Sequence, residues 1–189
     1  MLNLFGASTY IKDTLKGKTK PNRVSWFLWA LVPLIAFFIQ RNEGVGWANL
    51  LTFMVGFVPL IILIASFVNK QSYWAITKFD IICGLFSLAG ILFYLLASNA
   101  VVAVMLLILA DGLAALPTLQ KSLKYPETES YTTFLCGVGN STITLLSLHT
   151  FSFLFLGFPV YILIMDILLF LFIYPKTNHW IRKNIFKTI

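Results

Sequence analysis

Asp111, Asn140 and Asp166 are the polar side chains that interrupt long apolar runs in the second half of the chain. An ionised carboxylate at the centre of a membrane helix costs on the order of 3 kcal/mol, so Asp111 and Asp166 are expected to face a bundle interior rather than lipid. Carboxylate and amide groups at one depth can accept from, and donate to, the hydroxyls of a small polar solute. Asn3 aligns with Asp111 when the two halves of the chain are superposed, and it joins them as a candidate substrate contact. The competing expectation is structural, because intramembrane polar groups also tie helices together, by about 0.6 kcal/mol on average per hydrogen bond. Cys83 and Cys136 fall in different expected helices with no histidine beside them, which offers neither a metal-site spacing nor a disulfide framework. No catalytic spacing and no phosphate-binding glycine loop is found, so neither an enzyme nor a cofactor or metal site is expected.

The elements that must position these residues are membrane helices. Hydrophobic residues make up 59% of the chain and charged residues 11%, whereas a soluble domain carries about a quarter of its residues as charges. Apolar runs of spanning length are read at 24–40, 47–68, 79–97, 99–119, 131–150 and 152–174. Residues 1–11 read as half a helix, too short to span, so the chain is expected to begin in mid-helix. Arg41 aside, every Lys and Arg falls on the side holding 12–23, 69–78, 120–130 and the tail. By the positive-inside tendency that side is cytoplasmic, with the N-terminus outside and the C-terminus inside an inner cell membrane. The net charge of +7 is therefore an orientation signal with membrane lipid as the partner, and no nucleic-acid partner is expected. Trp26, Trp47, Tyr73, Trp74, Tyr131 and Trp180 are expected as interfacial anchors.

The chain also repeats itself. IKDTLKGKTKPNRVSWFLW from Ile11 echoes LQKSLKYPETESYTTF from Leu119, pairing Pro21, Ser25 and Trp26 with Pro126, Ser130 and Tyr131. Pro59 opens PLIILI as Pro159 opens PVYILI. The expected fold is an all-α polytopic membrane bundle of two parallel three-helix repeats, 1–68 and 99–175, joined by a linker helix in 69–98, with a tail at 176–189. The first helix of that plan is truncated. Matched breaks at Pro59 and Pro159 are candidate hinges, and Trp29 with its match Phe134 is a candidate inner constriction. An inner latch between Arg23 and Glu127 or Glu129 is a further expectation.

With Pro117 in ALPTLQKS at the end of the first helix of the second unit, this plan resembles the SWEET and PQ-loop superfamily, nearest an uncharacterised bacterial multi-pass branch. Pro117 stands where that superfamily's Pro-Gln signature begins, with Thr118 in the place of Gln. The resemblance implies a facilitative transporter of a small neutral polar solute, sugar-like, working by alternating access, with Pro117 among its gating residues. The alternative is a non-transporting membrane receptor or scaffold on the same bundle. Assembly as a homo-oligomer is compatible with either.

Overall fold

The computed structural model describes residues 2–42, 49–149 and 151–184. Among these residues the structure is all-helical. The helices are α1 (Leu2–Leu15), α2 (Arg23–Asn42), α3 (Asn49–Val68), α4 (Lys78–Leu96), α5 (Ala100–Lys124), α6 (Tyr131–Leu146), α7 (Phe153–Ile173) and α8 (Pro175–Asn184). Single 3-10 turns occupy Lys70–Ser72 and Pro126–Thr128.

Local chemistry sets several of these boundaries. Gly17 stops α1 with φ of 76°, a left-handed conformation that costs glycine nothing. A side chain there would also strike Gln71, whose Cβ would lie 2.9 Å from an added Cβ. Thr77 and Asp80 form a reciprocal capping box at the start of α4, satisfying two backbone N–H groups that the first turn leaves open. Asn99 caps α5 by accepting from the N–H groups of Val101 and Val102. Pro175 opens α8, where its missing N–H is no loss.

Two helices run longer than their apolar content alone suggested. α5 continues past 119 to Lys124, because Leu119 and Leu123 keep its core-facing stripe and Lys121 and Lys124 complement its C-terminal dipole. α1 continues past 11 to Leu15, carried by a buried Thr14. The tail forms α8 and folds back onto α7, where Asn178 is buried and donates to the carbonyls of Leu123 and Phe172 at 3.0 and 2.6 Å.

α3 packs against both α1 and α2, and α7 packs against both α5 and α6. α1 meets α6, α2 meets α5, and α4 lies along α5 and α2. Trp29 packs against three buried clusters, one around Leu28 and Ala110, one around Tyr10 and Ile62, one around Phe134 and Leu169. The fully buried side chains are mostly polar, among them Asn22, Thr14, Ser25, Thr118 and Ser122. Large apolar side chains face outward instead, as Leu85, Phe86, Leu92 and Phe93 do along α4, each more than 60% exposed.

Such an apolar exterior over a polar interior is stable in hydrocarbon and not in water. α4, α5 and α7 are each long and apolar enough to cross a bilayer. The chain is a helical membrane protein. Close backbone approach assists its packing: an added Cβ on Gly6 would sit 3.0 Å from Cys136 Cβ and 3.2 Å from Thr133 Cα. Gly6→Leu should therefore prise α1 from α6 and lower stability by about 1–3 kcal/mol. Gly112→Ala, whose new Cβ would stand 3.5 Å from the Tyr161 hydroxyl, should be tolerated. Thermal unfolding in detergent followed by tryptophan fluorescence compares the two, and equal midpoints would contradict the close α1–α6 seam.

Candidate functional site

At one end of the bundle the loops carrying most of the lysines and arginines meet. Lys20 N donates to Thr128 O at 2.8 Å, Asn69 Nδ2 to Leu15 O at 2.9 Å, and Ser72 Oγ to Thr14 O. The PNR and PET segments therefore share one end. Beneath them Lys121 and Glu129 form an ion pair of 2.5 Å with side chains 1% and 0% exposed. Glu129 spends its second oxygen on the Tyr10 hydroxyl at 2.5 Å, Lys121 also donates to the Lys20 carbonyl, and its ammonium lies 4.9 Å from the Trp74 ring. Both oxygens of Glu129 and the Lys121 ammonium are thus met by protein groups, which is what a buried pair requires.

Asn22 ties this end to the linker segment. Its Oδ1 accepts from Val24 N and Ser25 N at the start of α2, and its Nδ2 donates to Asp80 Oδ1 at 3.1 Å. One turn deeper, Thr118 Oγ1 donates to Ser25 Oγ at 2.8 Å, which donates in turn to Ala114 O at 2.6 Å. On the other seam Thr133 Oγ1 donates to Gly6 O at 2.9 Å. Hydroxyl-to-carbonyl bonds therefore pin α2 to α5 and α6 to α1.

Asp111 lies above this seal on α5. Its Oδ2 accepts from the Tyr161 hydroxyl at 2.8 Å. The Tyr161 hydroxyl lies beside Gly112, 3.5 Å from where a Cβ would stand. Asp166 sits on α7 against Gly137, where a Cβ would fall 2.6 Å from its Cγ, and it accepts from Ser141 Oγ at 3.5 Å. Asn140 is half-buried on α6, and its side chain makes no hydrogen bond among the described residues. The side chain of Asn3 lies outside the described residues, as does Trp47.

The candidate gating residues fall in two groups. Trp29 and Phe134 meet in one apolar cluster with Leu169 and Ile173, Phe134 being 5% exposed. Pro117 is fully buried within α5 beside Thr118. Pro59 and Pro159 each sit inside a continuous helix, α3 and α7, half-buried in both.

Three sequence expectations are corrected here. Arg23 does not reach Glu127 or Glu129; it donates to Ser66 Oγ and Ser66 O at 3.1 and 2.7 Å, with its guanidinium carbon 3.9 Å from the Phe67 ring centre. Glu129 is instead claimed by Lys121 and Tyr10. Trp26 is no interfacial anchor, being 4% exposed with its ring 4.9 Å from Tyr10 and 5.2 Å from Trp29. Trp74 likewise turns inward over Lys121, whereas Tyr73, Tyr131 and Trp180 face out. Cys83 and Cys136 are buried free thiols, and among the described residues no group of three or more His, Cys, Asp or Glu is placed to hold a metal.

Comparison with family models, with curated proteins and with solved structures finds no match to this chain. The site accordingly has to be judged on its own geometry. Lys121→Met should lower unfolding stability by about 3–5 kcal/mol, because it strands the Glu129 charge. Lys121→Met with Glu129→Leu should recover most of that, leaving about 1–3 kcal/mol for the orphaned Tyr10 hydroxyl. Adding Tyr10→Phe should remove the part owed to that hydroxyl, leaving the Lys20 carbonyl that Lys121 no longer meets. Chemical unfolding in mild detergent reads the series, and additive losses would contradict a single buried unit.

Proposed function

We propose that the chain is a facilitative transporter of a small neutral polar solute, working by alternating access between two parallel three-helix units. The first unit comprises α1–α3 and the second α5–α7, with α4 as the linker that lets both run in the same direction. Support comes from helix neighbours that correspond one to one: the third helix of each unit lies between its first and second, and the first of each meets the second of the other. The matched positions Tyr10 and Thr118 both donate across the seam, to Glu129 and to Ser25. We place the chain by this plan near the SWEET and PQ-loop superfamily, in an inner membrane with the basic end cytoplasmic.

The observation that carries the reading is the uneven distribution of burial along the units. In α5 the buried residues begin at Ala110 and continue to Leu123, and in α7 only Leu169 and Ile173 are buried. The buried residues of both units therefore concentrate toward the basic end, and fewer lie toward the other end among the described residues. Asp111 and Asp166 stand just beyond the closure. This distribution supports reading the structure as an outward-facing state with its inner gate shut, in which hydroxyl groups of a solute would exchange with the Tyr161–Asp111 bond. Opening would require parting the Tyr10–Glu129 and Thr118–Ser25 bonds, with Pro59 and Pro159 as flexion points in α3 and α7.

Uptake of a panel of labelled sugars and polyols into proteoliposomes tests the reading. Wild type should equilibrate at least one of them faster than protein-free vesicles. Asp111→Ala should slow that uptake about tenfold or more, since a hydrogen bond to a charged group is worth about 1.5–3 kcal/mol. No uptake above protein-free vesicles would favour a receptor or scaffold, and equal rates in both proteins would remove Asp111 from the pathway.

A further inference from the structure

A shallow groove of about 210 Å³ runs between α2 and α4 on the outer surface of the bundle, lined by Val24, Phe27, Ile76, Gly84 and Leu88 with Arg23 at one end. Its walls are almost wholly apolar. It is smaller than the roughly 300 Å³ at which small-molecule sites begin, and it offers no inward polar group to orient a solute. A hydrocarbon chain needs neither. Its lining on α4 runs from Gly84 to Leu88 and on α2 from Arg23 to Leu28, about 6–8 Å of each helix, roughly a quarter of a hydrocarbon core about 30 Å thick. It thus takes a segment of one acyl chain, close to the basic end.

Gly84 shapes the groove, since an added Cβ there would lie 2.7 Å from Val24 Cγ1. Arg23 closes its outer end with a fixed cation. Its Nε and Nη2 are held by Ser66, its guanidinium rests between the Phe67 and Tyr73 rings, and among the described residues it has no carboxylate partner. Nη1 makes no hydrogen bond among the described residues. Lys78 adds a second, exposed cation two residues beyond Ile76. A held guanidinium at headgroup depth is suited to a phosphate, which it can meet with little further ordering.

We propose that this groove is a binding site for an anionic glycerophospholipid, with one acyl chain lying between α2 and α4 and the phosphate on Arg23. The site is separate from the Asp111 region and does not depend on transport. Occupancy would brace α2 against the linker helix, because the lipid chain lies against side chains of both.

The full chain, delipidated in detergent and offered equal phosphatidylglycerol and phosphatidylcholine, is examined by native mass spectrometry. Wild type should retain phosphatidylglycerol about fivefold over phosphatidylcholine, the discrimination expected of one cation near the surface. Arg23→Gln should bring the ratio near one, and Gly84→Leu should reduce retention of both lipids. Equal retention in wild type, or an unchanged preference in Arg23→Gln, would overturn the proposal. Wild-type protein also permits a test free of folding defects, using phosphatidylglycerol with a photoactivatable group midway along one chain. Labelling of peptides holding Phe27 or Leu88 supports the site, and labelling confined to other helices refutes it.

Discussion

A lysine and a glutamate removed from water side by side impose conditions on everything near them. Each ion gives up several kcal/mol of hydration, and their mutual attraction repays it only when every remaining donor and acceptor is filled. Lys121 and Glu129 meet that demand with groups drawn from far along the chain: the Tyr10 hydroxyl from α1, the Lys20 carbonyl from the first basic loop and the Trp74 ring from the second. The loops therefore converge because the pair has to be enclosed. Thr128, whose carbonyl receives Lys20 N, and Asn22, which bonds to Asp80, extend the same enclosure outward.

Enclosure at one end accounts for the form of the rest. Helices that lie in hydrocarbon gain little from burying leucine against leucine, so their contacts depend on small residues, hydroxyl-to-carbonyl bonds and the few polar groups available. Gly6 beneath Cys136 and Thr133, Gly90 against Ala110 and Gly137 beneath Asp166 are such contacts. Trp29 is the exception, a large ring at the junction of the three buried clusters. A change at Trp29 would be felt in all three.

α4, α5 and α7, the helices long and apolar enough to cross a bilayer, were readable in the sequence because some twenty consecutive apolar residues have few alternative meanings. Helix ends were less so: Leu119 and Leu123 extend α5 only because the core reaches that far. Asp111 and Asp166 were legible as interior groups from their cost in lipid, yet Tyr161, which bonds to Asp111, looked like any other aromatic in an apolar run. The Tyr10–Glu129–Lys121 cluster went unseen for a plainer reason. Its members lie in or beside charged loops, where a glutamate and a lysine ordinarily remain solvated, and Tyr10 is separated from Glu129 by 119 positions. Charge complementarity alone paired Arg23 with Glu127 or Glu129; the phenyl ring of Phe67 and the Ser66 carbonyl hold it instead. The Thr77–Asp80 spacing, a recognisable capping signature, was the available sign that Asp80 belongs to structure.

Whether the enclosed pair holds the two sets of helices together can be read from one distance. Spin labels at Lys18 and Glu127, both exposed and on opposite sides of the seam, report it by pulsed electron resonance in lipid nanodiscs. With Glu129 and Lys121 intact the distribution should be short and narrow, and Glu129→Gln should add a second, longer population. A single unchanged distribution in the variant would contradict the account, because the seam would then be held by something else.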